Sequence, residues 1–138
     1  MISVRKQEVV KLEDVLHLYQ AVGWTNYTHQ PQMLEQALSH SLAIYLALDG
    51  DAVVGLLRLV GDGFSSIFVQ DLIVLPCHQR QGIGSDLMKE ALGDYKVAYQ
   101  VQLVTEQTEK TLGFYRSLGF ETLSTYDCTG MIWVDRKR

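Results

Sequence analysis

Three apolar segments rich in strand-forming residues follow one another between residues 42 and 76, separated by glycine turns and by no helical pattern. LAIYLAL (42–48) and AVVGLLRLV (52–60) flank Asp49-Gly50, a pair suited to a tight hairpin because glycine takes positive φ at little cost. GDG (61–63) marks a second turn. SIFVQDLIVLP (66–76) is a third strand, which Pro76 ends because proline cannot donate to a ladder. Such a run predicts an antiparallel meander. It excludes a doubly wound dinucleotide fold, in which strand and helix alternate throughout.

The rest of the chain surrounds that meander with helices. Residues 2–6 read as a short opening strand. Leu12, Val15, Leu16, Tyr19 and Val22 recur at helical spacing, which predicts a helix over 11–22 stopped by Gly23. GWTNYTHQP (23–31) reads as a loop and 32–40 as a second helix. Ile83, Leu87, Met88 and Ala91 form one stripe of a helix over 82–92. YQVQLVT (99–105) is a strand, 108–118 a helix with Gly119 as its stop, and FETLSTY (120–126) and MIWVD (131–135) are expected as two closing strands. The expected order is β-α-α-β-β-β-α-β-α-β-β. That is an α/β (α+β) domain with a mixed, mostly antiparallel sheet flanked by helices, a single domain over 1–138. A chain this long buries about 68% of its extended surface on folding, enough for a core without staples.

Charge and composition narrow the function. A net charge of −4 argues against nucleic acid as a partner, because phosphate binding needs a concentrated basic surface. Arg136-Lys137-Arg138 reads as a solvated tail. No run approaches the ~20 apolar residues of a membrane span. MISVRKQEVV (1–10) lacks the apolar block of a secretory leader, so a cytoplasmic location with Cys77 and Cys128 reduced is the expectation. His17, His29, His40 and His78 show no ligand spacing with each other or with the cysteines, and no metal site is expected.

The chemistry lies in LPCHQRQGIGSDLM (75–88), where a strand gives way to a helix through two glycines. The first N–H groups of a helix lack internal partners and carry partial positive charge, and glycine lets a ligand approach them without a Cβ in the way. This is an anion site, most naturally for phosphate, unless the glycines only turn the chain. Walker A is excluded because no Lys-Ser/Thr follows. The dinucleotide fingerprint is excluded because Ser85-Asp86-Leu87 stands where its third glycine would fall. Gln79-x-x-Gly82-x-Gly84, after LIVLP, resembles the pyrophosphate-binding motif of the GCN5-related N-acetyltransferases (GNAT). The preceding meander, the following strand and the helix carrying FYRSLGF (114–120) fall in that family's order over nearly the whole chain. VGW (22–24) and the stretch 61–84 look like a branch of small single-domain proteins with bacterial and plastid members.

The resemblance implies an N-acetyltransferase that moves the acetyl group of acetyl-CoA to a primary amine by direct attack in a ternary complex. Backbone around Arg80, Gln81, Gly82, Ile83, Gly84 and Ser85 would hold the pyrophosphate, with Arg80 adding charge. Leu72, Ile73 and Val74 would pair by their backbone with the pantetheine arm, since strands on either side of the motif splay apart in the family. Tyr115 of the FY pair is implied as general acid toward the departing thiolate; its alternative is a core aromatic. Asp71, a carboxylate inside an apolar strand where an unpaired charge is costly, is a candidate base or amine-binding group, or else a structural carboxylate. Polyamine-acetylating relatives carry Glu-Asp where this chain has Gln70-Asp71, which argues against a polyamine acceptor. Glu106 or water is an alternative base. Thr108 and Thr111 stand where relatives often have Asn and Ala, and Thr108 replaces the Asn contact to the pantetheine arm only partly. Trp24 and Tyr27 are candidate walls of an acceptor pocket offering cation–π contact, with a purely structural Trp24 as the alternative. Plastid relatives acetylate arylalkylamines and peptide or lysine amines. The acceptor is therefore expected to be a small amine, with a protein or peptide amine, or a non-catalytic CoA-binding module, as alternatives. The resemblance also allows a homodimer through the late strands; charge and hydropathy predict no nucleic-acid or membrane partner.

Overall fold

The computed structural model describes residues 1–135; the basic tail Arg136-Lys137-Arg138 lies outside the described residues. The chain divides into two compact units, Met1–Leu103 and one beginning at Val104.

The first unit is built on a five-stranded sheet in the order β1-β2-β3-β4-β5. The strands are β1 (Ile2–Lys6), β2 (Ala43–Asp49), β3 (Ala52–Gly61), β4 (Ser66–Val74) and β5 (Gln100–Leu103). The first four pair antiparallel: β2, β3 and β4 are joined by tight turns, while the chain between β1 and β2 carries three helices. Gly50 takes φ 62° in the first turn. In the second turn Asp62 Oδ1 accepts from the backbone N–H groups of Phe64, Ser65 and Ser66 at 2.7, 2.8 and 3.2 Å. β5 returns parallel to β4 after a helical crossover, so the sheet is mixed and mostly antiparallel as expected.

Helices cover both faces. α1 (Leu12–Ala21), α2 (Thr25–Thr28) and α3 (Pro31–Ser39) lie on one, where Val15, Leu18, Tyr19, Leu34 and Leu38 pack against Ile44, Leu46, Leu48, Leu56 and Ile73. Each of these side chains contributes about 1.5–3 kcal/mol on full burial. α4 (Ile83–Asp94) covers the other face through Ile83, Leu87, Met88 and Ala91. A Cβ on Gly55 would sit 3.2 Å from Ala47 Cβ and 3.3 Å from Leu87 Cδ1, so glycine at this position is what lets α4 approach the sheet.

Two expectations are corrected. The segment 23–31 is not wholly loop, because Trp24 O accepts from Tyr27 N and Thr28 N at 3.0 and 3.1 Å and closes one helical turn, α2. The two closing strands are not formed. In the second unit α5 (Glu109–Ser117) ends where Gly119 takes φ 97°, and Leu123–Tyr126 then winds into a 3-10 turn. That turn is held by Thr125 N to Thr122 O, Asp127 N to Ser124 O and Cys128 N to Leu123 O, at 3.1, 3.1 and 3.0 Å. Thr and Ser hydroxyls compete for local partners and favour turns over ladders. Thr122 Oγ1 lies 3.0 Å from Ser124 Oγ, an instance of that competition. Among the described residues no strand is formed after Leu103.

Candidate active site

β4 ends at Val74, and Pro76–His78 form a 3-10 turn with proline in its first position. The chain then makes two left-handed steps, Arg80 at φ 66° and Gly82 at φ 80°, before α4 starts at Ile83. The first bond of that helix runs from Asp86 N to Gly82 O at 3.0 Å. The N–H groups from Arg80 to Ser85 consequently find no backbone acceptor among the described residues, and no side chain caps the helix. Among the described residues, no atom beyond Gly82 and its two chain neighbours lies within 4 Å of where a Cβ on Gly82 would be. Six consecutive donors at the positive end of a twelve-residue helix, with open space before them, suit a diphosphate. Gln79 fastens the turn to the sheet: its Nε2 donates to Val74 O at 3.1 Å.

The β4–β5 ladder runs only from Ser66↔Gln100 to Val69↔Leu103. Among the described residues, Asp71 to Val74 of β4 pair on the β3 side alone, through Arg58↔Asp71, Leu57↔Leu72, Leu56↔Ile73 and Gly55↔Val74. Leu72, Ile73 and Val74 lie beyond the end of the β4–β5 ladder. An extended amide-bearing ligand can join such an edge as an added strand.

Between Arg58 and Leu59 the β3–β4 register shifts, leaving Gln70 as an extra residue on β4. Past this bulge Asp71 is 2% exposed and opposite Arg58, which is 4% exposed. Arg58 Nε donates to Asp71 Oδ2 at 2.7 Å. Tyr19 Oη donates to the same oxygen at 2.8 Å, and Tyr27 Oη to Oδ1 at 3.0 Å. Arg58 also donates to Tyr27 Oη at 3.2 Å and to Ser41 Oγ at 3.3 Å. A buried charge is tolerated only when paired and hydrogen-bonded, and here both charges are. Burial, with Asp71 close by, pushes the Tyr19 phenol well up and raises that of Tyr27, so both stay protonated donors at neutral pH. Burial alone would weaken the charge on Arg58, but Asp71 outweighs it and the net shift is upward. Trp24 is half-buried, 6.1 Å from the Tyr19 ring and 6.2 Å from the Tyr27 ring, so the three aromatics form one wall tied to Asp71.

In the second unit Tyr115 packs edge-on against Phe114 at 4.9 Å and Phe120 at 5.9 Å. Burial raises its phenol and the Thr105 side chain partly offsets that rise. Thr108 caps α5, accepting from Thr111 N at 3.2 Å and donating to Thr111 Oγ1 at 2.9 Å. Among the described residues no cluster of His, Cys, Asp and Glu could hold a metal ion, and no helix is long and apolar enough to cross a membrane.

Arg58 and Tyr19 belong to this buried network yet lie inside apolar patterns of the sequence, which hides them. The available signal is paired: a lone Arg in GLLRLV and a lone Asp in VQDLIV, on consecutive strands, each needing the other.

The mixed sheet, its one-sided β4 edge and the bare-backbone turn before α4 are together the architecture of an acyltransferase. A model of the acetyltransferase (GNAT) domain matches residues 40–122, well over half of the chain, and the chain belongs to that family of N-acetyltransferases. It is similar over 99% of its length, at 80% identity and a TM-score of 0.92, to a GNAT-family acetyltransferase of Streptococcus pneumoniae, of which it covers 99%. It is 28% identical to the chloroplastic GCN5-related N-acetyltransferase 1 of Arabidopsis thaliana, over 97% of this chain and 68% of that protein. It is 30% identical to the chloroplastic serotonin N-acetyltransferase 2 of Oryza sativa subsp. japonica, over 66% of this chain and 48% of that protein.

Proposed function

We propose that the chain transfers the acetyl group of acetyl-CoA to the primary amine of a small molecule, with both substrates bound at once. The observation that carries this reading is the run of unpartnered N–H groups from Arg80 to Ser85, beside a β4 edge that is open from Gln70 to Val74. The turn would take the diphosphate, Arg80 would add a positive charge to it, and Leu72, Ile73 and Val74 would align the pantetheine amides. Acetyl-CoA, a substrate here, supplies the thioester carbonyl that the acceptor nitrogen attacks. Holding the two in line accounts for much of the acceleration.

Tyr115 serves as proton donor to the departing thiolate, supported by its place in the FY pair and by burial that keeps the phenol protonated. Thr108, with one acceptor lone pair beyond its capping bond, accepts from a pantetheine amide. Asp71 acts as the anchor of the Tyr19–Trp24–Tyr27 wall. Its Oδ2 accepts from Arg58 and Tyr19 and its Oδ1 from Tyr27, which supports the anchoring role and assigns proton removal from the acceptor to water. Trp24 and Tyr27 present aromatic surface to the amine. The serotonin N-acetyltransferase relative points toward arylalkylamines among small acceptors. The 138 residues act as one catalytic domain, and an apolar run in which Met131, Ile132 and Val134 are 95%, 82% and 69% exposed supports assembly as a homodimer.

A thiol-release assay over a panel of free amines and lysine peptides tests the reading. Turnover with a free arylalkylamine or alkylamine is expected. Turnover confined to peptides would move the assignment to a protein acetyltransferase, and coenzyme binding with no turnover on either would overturn catalysis.

A further inference from the structure

One cluster of reactive side chains lies apart from the wall around Asp71. On the 3-10 turn that leads into the glycine loop, Cys77 Sγ is 3.1 Å from His78 Nδ1. His78 Nε2 is in turn 3.2 Å from Asp49 Oδ2 at the end of β2. Cys77 is exposed. The hydrogen bond from His78, with the Met1 ammonium 3.7 Å away, holds the Asp49 carboxyl below its usual range. An anionic Asp49 accepts from the Nε2–H tautomer of His78, and in that tautomer Nδ1 is the acceptor facing the thiol. Nucleophile, base and orienting carboxylate in hydrogen-bond sequence are the arrangement that activates a cysteine. Nothing in acetyl transfer requires it, and its side chains do not form a metal centre.

We infer that Cys77 is an activated thiol, a modification site for small disulfides, and that its mixed disulfide competes with the coenzyme for the adjoining turn. The step balances. His78 Nδ1 takes the thiol proton, the Cys77 thiolate attacks one sulfur of the disulfide RSSR, that S–S bond breaks, and the departing RS⁻ collects the proton as RSH. Cys77 is oxidised to the mixed disulfide and the leaving sulfur is reduced. Excess thiol reverses the exchange. Only His78 and Gln79 separate Cys77 from Arg80, the first donor of the run, so a group attached at Cys77 is tethered within three residues of it. This last part rests on the turn being the coenzyme site.

The test uses the whole protein at neutral pH with dithiobis(nitrobenzoate) as the disulfide, following the coloured thiolate and mapping the label by peptide mass spectrometry. Cys128, also exposed, is the internal control. Cys77 is expected to react about tenfold faster than Cys128, and His78→Gln or Asp49→Asn to bring it down to the Cys128 rate. Saturating coenzyme A should slow labelling at Cys77 and leave Cys128 unchanged. Equal rates at the two cysteines, or variants that keep the fast rate, overturn the activation. Labelling undiminished by bound coenzyme overturns the competition. Failure of the coenzyme-site reading shows separately, as no coenzyme binding by calorimetry with the thiol kinetics intact.

Discussion

Arg58 Nε reaches Asp71 Oδ2 at 2.7 Å directly across the β3–β4 ladder, and both residues are almost wholly buried. Removing one member strands the other charge, which costs about 3–5 kcal/mol, whereas an apolar pair of similar volume is often neutral or stabilising. Asp71→Ala should therefore lower the unfolding free energy by about 3–5 kcal/mol, and Arg58→Met with Asp71→Leu should recover part of that loss in urea titrations, the buried Tyr19 hydroxyl still lacking its acceptor. The double variant should keep turnover with a raised KM for the amine, because the wall loses its anchor. A loss of about a hundredfold or more in kcat in a folded double variant would restore Asp71 as the base.

Gly82 holds φ 80° with nothing near its missing Cβ. In the free protein Gly82→Ala meets only backbone strain of about 1–2 kcal/mol. On the proposed reading of the turn, the new methyl stands where the diphosphate would approach. Coenzyme affinity should fall about tenfold or more, roughly 1.4 kcal/mol, on top of the modest stability loss. Titration calorimetry alongside thermal melting separates the two effects. Unchanged affinity would mean that the glycine serves only the turn.

Tyr115→Phe keeps the edge-on packing with Phe114 and Phe120 and deletes one hydroxyl. Turnover should drop about a hundredfold while coenzyme affinity stays within about twofold. Steady-state kinetics with an amine from the panel, paired with calorimetry, checks this. An unchanged kcat removes Tyr115 from proton delivery.

The Asp62 carboxyl is held well below its ordinary range, first by the Ser65 hydroxyl and then by the backbone N–H groups it accepts from. A depressed folded value means the carboxylate favours the folded state above its unfolded pKa of about 3.9, and that this contribution is lost as pH falls through the folded value. Asp62→Ala should melt below the wild type by a constant margin at neutral pH, and the margin should narrow in acid below about pH 4. A margin independent of pH down to acid would assign the turn's stability to its backbone.

Much of the molecule was legible because its signals are local. Asp49-Gly50 sets a hairpin, Ile83, Leu87, Met88 and Ala91 set a helix stripe, and Gly82 and Gly84 bare a helix end. What the sequence does not display is pairing at a distance. The register that sets Arg58 against Asp71 depends on Gln70 bulging, and Tyr19, one apolar position among several on α1, becomes a donor only when that carboxylate is placed below it. The closing strands failed for a different reason. FETLSTY carries alternation enough for a strand, but its hydroxyls bind their own neighbours and Asp127 takes φ 56°.

Direct titration of the folded protein with acetyl-CoA in a calorimeter bears most immediately on the cradle between Arg80 and Ser85. One saturable site per chain is predicted, weakened by Gly82→Ala and by rising salt as expected for a charged diphosphate. Absence of saturable heat with protein shown to be folded would contradict the account.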